Sequence, residues 1–411
     1  MNIKYTAAII LTSLSIFNLN GQAIYKPAFN SETIVSADKY LKAYHSKREH
    51  VDNIVKVVYF HAADQKPLNN WQERLTVTLE DVSKFYKEEF AKFGIQSEGI
   101  PFEKQHDGQF VFHVIQGSLL SKEYNIRSGN KIQNEIYNKS NHQIDFLKDH
   151  VLIINGLCDK REDGCYFFHA PYYGTGNSVY GVRYVADCEL LDSRLLSDTT
   201  QRMTFTEMFV TGKKCTVAEF NSWYIGGIAH EMGHLFGLPH DFGNPLDLGL
   251  STLSLMGQYG SRRYREYLWN SQKSSVFTSA GILQLLNHPV FAQTKKLQNT
   301  DLLDFKLYDF KFLRNSKGIV VKMNYKAKMP PYGVVALLRP TVWSEYFNRS
   351  FSTFCTEKDS LSIGIGFLTN TKYFLQLKFL FPDGSVVNSS KVFTVDNKGD
   401  AKELPSNKRH V

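Results

Sequence analysis

The sequence predicts an α+β protein: an α/β-type domain with a mixed sheet and one functional helix, followed by an all-β sandwich. Three observations predict it. The chain has 411 residues, more than one typical domain needs. Strand-like and helix-like apolar periodicities alternate between about residues 51 and 298. From about 303 to 397 only strand-like runs occur, bounded by turn residues. Hydrophobic residues make up 43% and charged residues 21%, which is enough apolar side chain for a core in each part.

The N-terminus reads as a signal peptide over 1–23. Lys4 gives a positive start, 6–17 is apolar but too short to span a bilayer, and Gly21 and Ala23 are spaced as a cleavage site. No later run reaches membrane length, so a secreted or periplasmic protein with no transmembrane segment is expected. Residues 24–50 form a polar lead-in or short pro-segment, with a helix at 36–48. The first domain then occupies 51–298.

Residues 53–60 are rich in Val and Ile and predict a strand. Leu79, Val82, Phe85, Phe90 and Phe93 predict a helix over 78–93. Thr78 caps it, with Asp81 three residues on, and Gly94 ends it. A strand at 110–115, weak helices at 129–140 and 142–148, and a buried strand at 151–154 follow. Strands at 166–172 and 179–186 flank a turn at Gly174-Thr175-Gly176. Residues 188–215 resemble an insertion, and a long helix runs over 217–236. An irregular loop carries Pro245, Gly249, Gly257 and Gly260. Thr278 caps a helix through 286, and Pro289 stops it. The sandwich, at 303–397, has strand-like runs at 304–313, 318–327, 333–338, 361–368, 373–381 and 391–395. Asp383-Gly384 marks a hairpin. A polar tail occupies 398–411.

Export permits disulfides. Cys158 and Cys165 flank a charged loop, and Cys188 and Cys215 flank the insertion, so these four are candidate disulfide partners. Spacing alone does not set their connectivity. Cys355 stands alone. The net charge of +8 comes from scattered basic residues without a nucleic-acid motif, which excludes nucleic acid as a partner. A monomer is expected.

The chemistry concentrates at 230–240, which reads H-E-M-G-H-L-F-G-L-P-H. His230 and His234 are four apart on a helix, about 40° from each other on one face. Two imidazoles so placed suit one tetrahedral ion. Glu231 lies beside them, where a carboxylate acts as a base instead of a ligand. In a continuous helix His240 would sit roughly 9 Å beyond His234. To share the ion the chain must turn back, which Gly237 permits and Pro239 enforces.

These residues resemble the extended zinc motif of the metzincin clan of metallopeptidases. The resemblance extends to Ser254-Leu255-Met256-Gly257, which matches the clan's Met-turn, and it covers about 50–292. It implies a metzincin-like catalytic fold and a secreted zinc-dependent endopeptidase. It implies one Zn2+ held by His230, His234 and His240, with Glu231 as general base towards a zinc-bound water. Gly237, Met256 and Asp241 would support the site, Asp241 by hydrogen bonds beneath it. The substrate would be a protein or peptide lying along an edge strand, at Tyr166, Phe167, Phe168 and His169, or else at 179–185. Some clan members use a Tyr two residues past the Met as a ligand; here Tyr259 is three past, so no Tyr ligand is expected. Asp241 and Asp247 fit no calcium loop, and calcium is not expected. The alternative function is a host- or glycan-binding protein on a metallopeptidase scaffold, with the sandwich doing the binding.

Overall fold

The computed structural model describes residues 31–207, 210–244, 253–270, 274–295, 304–355 and 359–405. The signal-peptide reading, Pro245, Asp247, Gly249 and the end of the polar tail lie outside these residues. The first part runs α1 (Ser31–His45), β1 (Val55–His61), α2 (Trp71–Ala91), β2 (Phe112–Gln116), α3 (Gly129–Lys139) and β3 (His150–Asn155). It continues with β4 (Cys158–Lys160), β5 (Cys165–Phe168), β6 (Gly174–Gly176), β7 (Gly181–Ala186), β8 (Arg202–Glu207), β9 (Val210–Thr216) and α4 (Val217–Leu235). Two short strands, β10 (Leu253–Ser254) and β11 (Ser275–Val276), precede α5 (Ser279–Leu285) and α6 (Pro289–Ala292). The C-terminal part holds β12 (Lys306–Asn315), β13 (Gly318–Lys326), β14 (Gly333–Pro340), β15 (Arg349–Phe354) and β16 (Ser360–Gly366). It ends with β17 (Lys372–Leu380), β18 (Val386–Val395) and β19 (Ala401–Glu403).

The central sheet has the order β2-β1-β3-β7-β6. Its first four strands are parallel, and β6 pairs antiparallel with β7 at the edge. The strands β3 and β7 are buried at every residue. Such unbroken burial suits parallel strands covered on both faces. One face packs Val57, Tyr59, Leu152 and Val185 under α2 and α4. The other packs Val58, Phe60, Val151 and Ile153 against Ile132 and Ile136 of α3.

Local departures from the sequence expectations have physical causes. Helix α2 begins at Trp71, seven residues before Thr78. Leu75 and Arg74 continue its inward face, and Thr78 is buried mid-helix instead of capping. Asn141 and His142 have positive φ after α3, so 142–148 forms turns and no helix. Gly174-Thr175-Gly176 is an edge strand rather than a turn. A Cβ at Gly176 would lie 2.0 Å from the Leu235 carbonyl oxygen, so only glycine lets β6 approach the end of α4. The expected insertion contributes β8 and β9 to a second sheet of order β4-β5-β8-β9. None of the five cysteines is paired, which corrects the disulfide expectation. Cys158 lies opposite Phe168, and Cys215 lies opposite Met203.

The C-terminal part is two sheets, β12-β13-β16 and β15-β14-β17-β18-β19. It has two strands more than expected: β15, and β19 within the polar tail. Ile319, Val321 and Met323 face Val334, Ala336, Leu375 and Leu377 between the sheets. The outer face of β14 is buried too, because Val335 and Leu337 join Leu283 of α5 in the main core. Tyr332 donates to the Leu283 carbonyl at 2.7 Å across the same junction. Among the described residues no helix is long and apolar enough to cross a membrane.

Candidate metal centre

Helix α4 starts with a reciprocal capping box between Thr216 and Glu219. It is buried along almost its whole length, as a core helix carrying a site should be. At its end Leu238 N–H donates to the Gly233 carbonyl and Gly237 N–H to the His234 carbonyl, both at 3.0 Å. Gly237 has φ of 78°, so the helix closes in a left-handed glycine cap that reverses the chain.

The reversal returns His240 to the helix. His234 Nε2 and His240 Nε2 are 3.1 Å apart. Nitrogens of His230, His234 and His240 all lie within 4.8 Å of one another. Among the described residues no other trio of His, Cys, Asp or Glu converges in this way. The far nitrogens are occupied: Nδ1 of His230 faces the Leu255 carbonyl, and Nδ1 of His234 the Leu238 carbonyl, each at 2.7 Å. A carbonyl there fixes the Nδ1–H tautomer and leaves the Nε2 lone pair as a donor. Burial and the neighbouring His230 lower His240 to about 4, and burial takes His234 well below its usual value. At neutral pH both are neutral imidazoles, the form that ligates a metal.

The turn at 254–257 closes beneath His230, with Gly257 N–H on the Ser254 carbonyl at 3.0 Å. Met256 is buried there, and its sulfur sits against Gly233. Asp241 donates its N–H to the Met256 carbonyl at 3.1 Å. Its buried carboxylate accepts from Gly243 N–H at 2.6 Å and from the hydroxyl of Thr278, the cap of α5.

Glu231 is 8% exposed and faces Arg183 of β7 at 3.2 Å. Arg183 also donates to the Gly174 carbonyl of β6. Burial lowers this guanidinium to about 10, against the opposing pull of Glu231. The edge strand and the carboxylate are therefore tied to one buried cation.

The C-terminal part also reaches the site. Glu345 Oε1 is 3.3 Å from Nδ1 of His240. The Tyr346 ring lies 3.7 Å from the His240 ring, centroid to centroid. Asn348 donates to the His240 carbonyl at 3.2 Å and accepts from Phe242 N–H at 2.8 Å.

Tyr166, Phe167 and Phe168 lie elsewhere. They form β5, inside the second sheet between β4 and β8, and His169 is held by Asp159 at 2.6 Å. Residues 181–185 lie in β7, between β3 and β6. The open edge beside Glu231 belongs to β6. Tyr259 is 54% exposed, with Arg262 over its ring at 4.8 Å. Sequence reasoning missed Arg183, Glu345 and Tyr346. Only Arg183 carried a signal, as a charge inside an otherwise apolar strand.

Solved structures that share this fold include three of OgpA from Akkermansia muciniphila. Two crystal forms of wild-type OgpA match with TM-scores of 0.65 and 0.67 at 19% identity. They cover 84% and 87% of this chain and 95% and 96% of OgpA. A catalytically inactive OgpA, in complex with the O-glycopeptide substrate glycodrosocin, matches with a TM-score of 0.66 at 18% identity. That alignment covers 87% of this chain and 97% of OgpA. The likeness therefore spans both halves of the molecule, sandwich included. No protein-family model and no curated protein matches the chain.

Proposed function

We propose that this chain is an exported, metzincin-type zinc endopeptidase that cleaves O-glycosylated peptides. The convergence of three imidazoles beside the Glu231 carboxylate carries this reading. Three His nitrogens with an open side are the donor set of a catalytic zinc site. The fold shared with OgpA, which has an O-glycopeptide substrate, supports the substrate class.

His230, His234 and His240 would hold the ion. When bound, it supplies Lewis acidity to a scissile carbonyl and to water. Glu231 takes the proton of the attacking water and delivers it to the leaving nitrogen. Arg183 fixes the carboxylate for that transfer. The open edge of β6 offers backbone groups to an extended substrate. Glu345, Tyr346 and Asn348 keep His240 in place from the sandwich. Residues 51–298 thus form the catalytic unit, and 303–397 complete its site.

The test uses one peptide in O-glycosylated and bare forms. Purified protein should cut the glycosylated form, stop on chelation and recover with added zinc. Cleavage indifferent to the chelator would overturn the metal role, and preference for the bare peptide would overturn the substrate class.

A further inference from the structure

A cavity of about 710 Å3 lies where the two halves meet, apart from the histidine cluster. Its walls are the β6–β7 hairpin with Asn177 and Tyr180, the end of α4 with Phe236, and the strands β17 and β18 with Lys378 and Asn388. This volume is in the range of small-molecule sites, roughly 300–1,000 Å3. Amides and hydroxyls from Asn177, Ser178, Ser385 and Asn388 share the lining with aromatic faces.

Lys378 makes the cavity unusual. It lies on the face of β17 turned towards the catalytic part, in register with Val335 and Asn388. Its ammonium donates to the Gly237 carbonyl at 3.1 Å. Among the described residues no carboxylate pairs with it. Burial lowers it to about 8, which leaves most of it charged at neutral pH. A partly buried ammonium with one carbonyl partner leaves donors free for an anion.

We propose that this cavity binds an acidic sugar, whose carboxylate pairs with Lys378 while its hydroxyls meet the amide and hydroxyl lining. The ring face rests on the Tyr180 or Phe236 side. Free sugar and the terminal residue of a substrate glycan share this chemistry. Lys378 already holds Gly237, the turn between His234 and His240, so an occupant sits one residue contact from the metal centre.

The test is calorimetric titration of the full chain with N-acetylneuraminic acid, and separately with N-acetylgalactosamine. The acidic sugar should bind at one site, at least tenfold tighter than the neutral one. Lys378→Gln should weaken it at least tenfold, and Lys378→Arg should retain it. A chelator should leave binding unchanged, which separates this cavity from the metal ligands. Equal affinity for both sugars, loss of binding on chelation, or no binding at all overturns the proposal. If Lys378→Gln does not fold, the neutral-sugar and Lys378→Arg arms still decide. A sialylated glycopeptide that binds more tightly than the free sugar places the ligand on a substrate; equal affinity makes it a free ligand. No cleavage is read, so the outcome is independent of the peptidase reading.

Discussion

His240 is held from two sides. The glycine cap after α4 swings it back to His234, and Glu345 meets its far nitrogen from the sandwich. Carboxylates behind a metal-ligating histidine orient the ring and raise its basicity, and their loss typically costs 10–100-fold in metal affinity. Glu345 is largely exposed, so Glu345→Gln should lower zinc affinity by about tenfold, the lower end of that range. Competition with a chromophoric chelator measures this, and an unchanged affinity would mean the contact is incidental. The histidines also set an acid limit for the metal-free protein. Unfolded imidazoles titrate near 6.5, whereas folded His240 titrates near 4 and His234 well below its usual value. Between those values the unfolded chain binds protons that the folded chain does not. Stability is therefore complete above about 6.5 and is lost as pH falls towards about 4. The unfolding midpoint of metal-stripped protein should drop across that window; a flat midpoint contradicts it. The spacing of His230, His234 and His240 was legible because one helix and one cap bring them together. Glu345 and Tyr346 were not, since more than a hundred residues and a domain junction separate them from the motif.

The apolar runs of β1 and α4 were legible, whereas α3 read only as a weak helix. The exceptions are elements made by their neighbours. Strand β6 is three residues with two glycines and has little strand propensity of its own; pairing with β7 makes it a strand. Helix α2 extends back to Trp71 because Arg74 finds an acid inside the protein. Its guanidinium meets Asp187 at 3.0 and 3.2 Å, and also bonds the Cys188 and Leu191 carbonyls. Asp187 has no exposed surface, and Arg74 is 5% exposed. Removing one partner of such a pair strands a buried charge and costs about 3–5 kcal/mol. Arg74→Met should show that loss in urea denaturation. A change within experimental error would mean that Asp187 is neutral in the folded protein. At the other end of α4, Gly237→Ala forces a side chain into positive φ, at about 1–2 kcal/mol. That variant should be less stable and should bind zinc more weakly; wild-type behaviour in both would remove the cap from the site's construction.

Across the whole molecule the two halves share a core, which composition and periodicity did not reveal. The sequence separates 51–298 from 303–397 by a change of pattern, yet Tyr332, Val335, Leu337 and Leu380 pack in the same cluster as the helices of the first half. Cutting the chain at residue 300 would expose that face and remove Glu345, Tyr346 and Asn348 from His240. The truncated protein should aggregate or bind zinc poorly, as gel filtration and metal analysis would show; a monomeric fragment with full zinc affinity would contradict the shared core. The chemistry is tested most directly by digesting an O-glycopeptide in 18O-labelled water, with mass spectrometry of the products. Hydrolysis at the Glu231 site puts one 18O into each new C-terminal carboxylate, and Glu231→Gln with equal zinc content leaves the peptide uncut. Intact peptide after incubation with zinc-loaded wild type, or cleavage by Glu231→Gln at the wild-type rate, would contradict it.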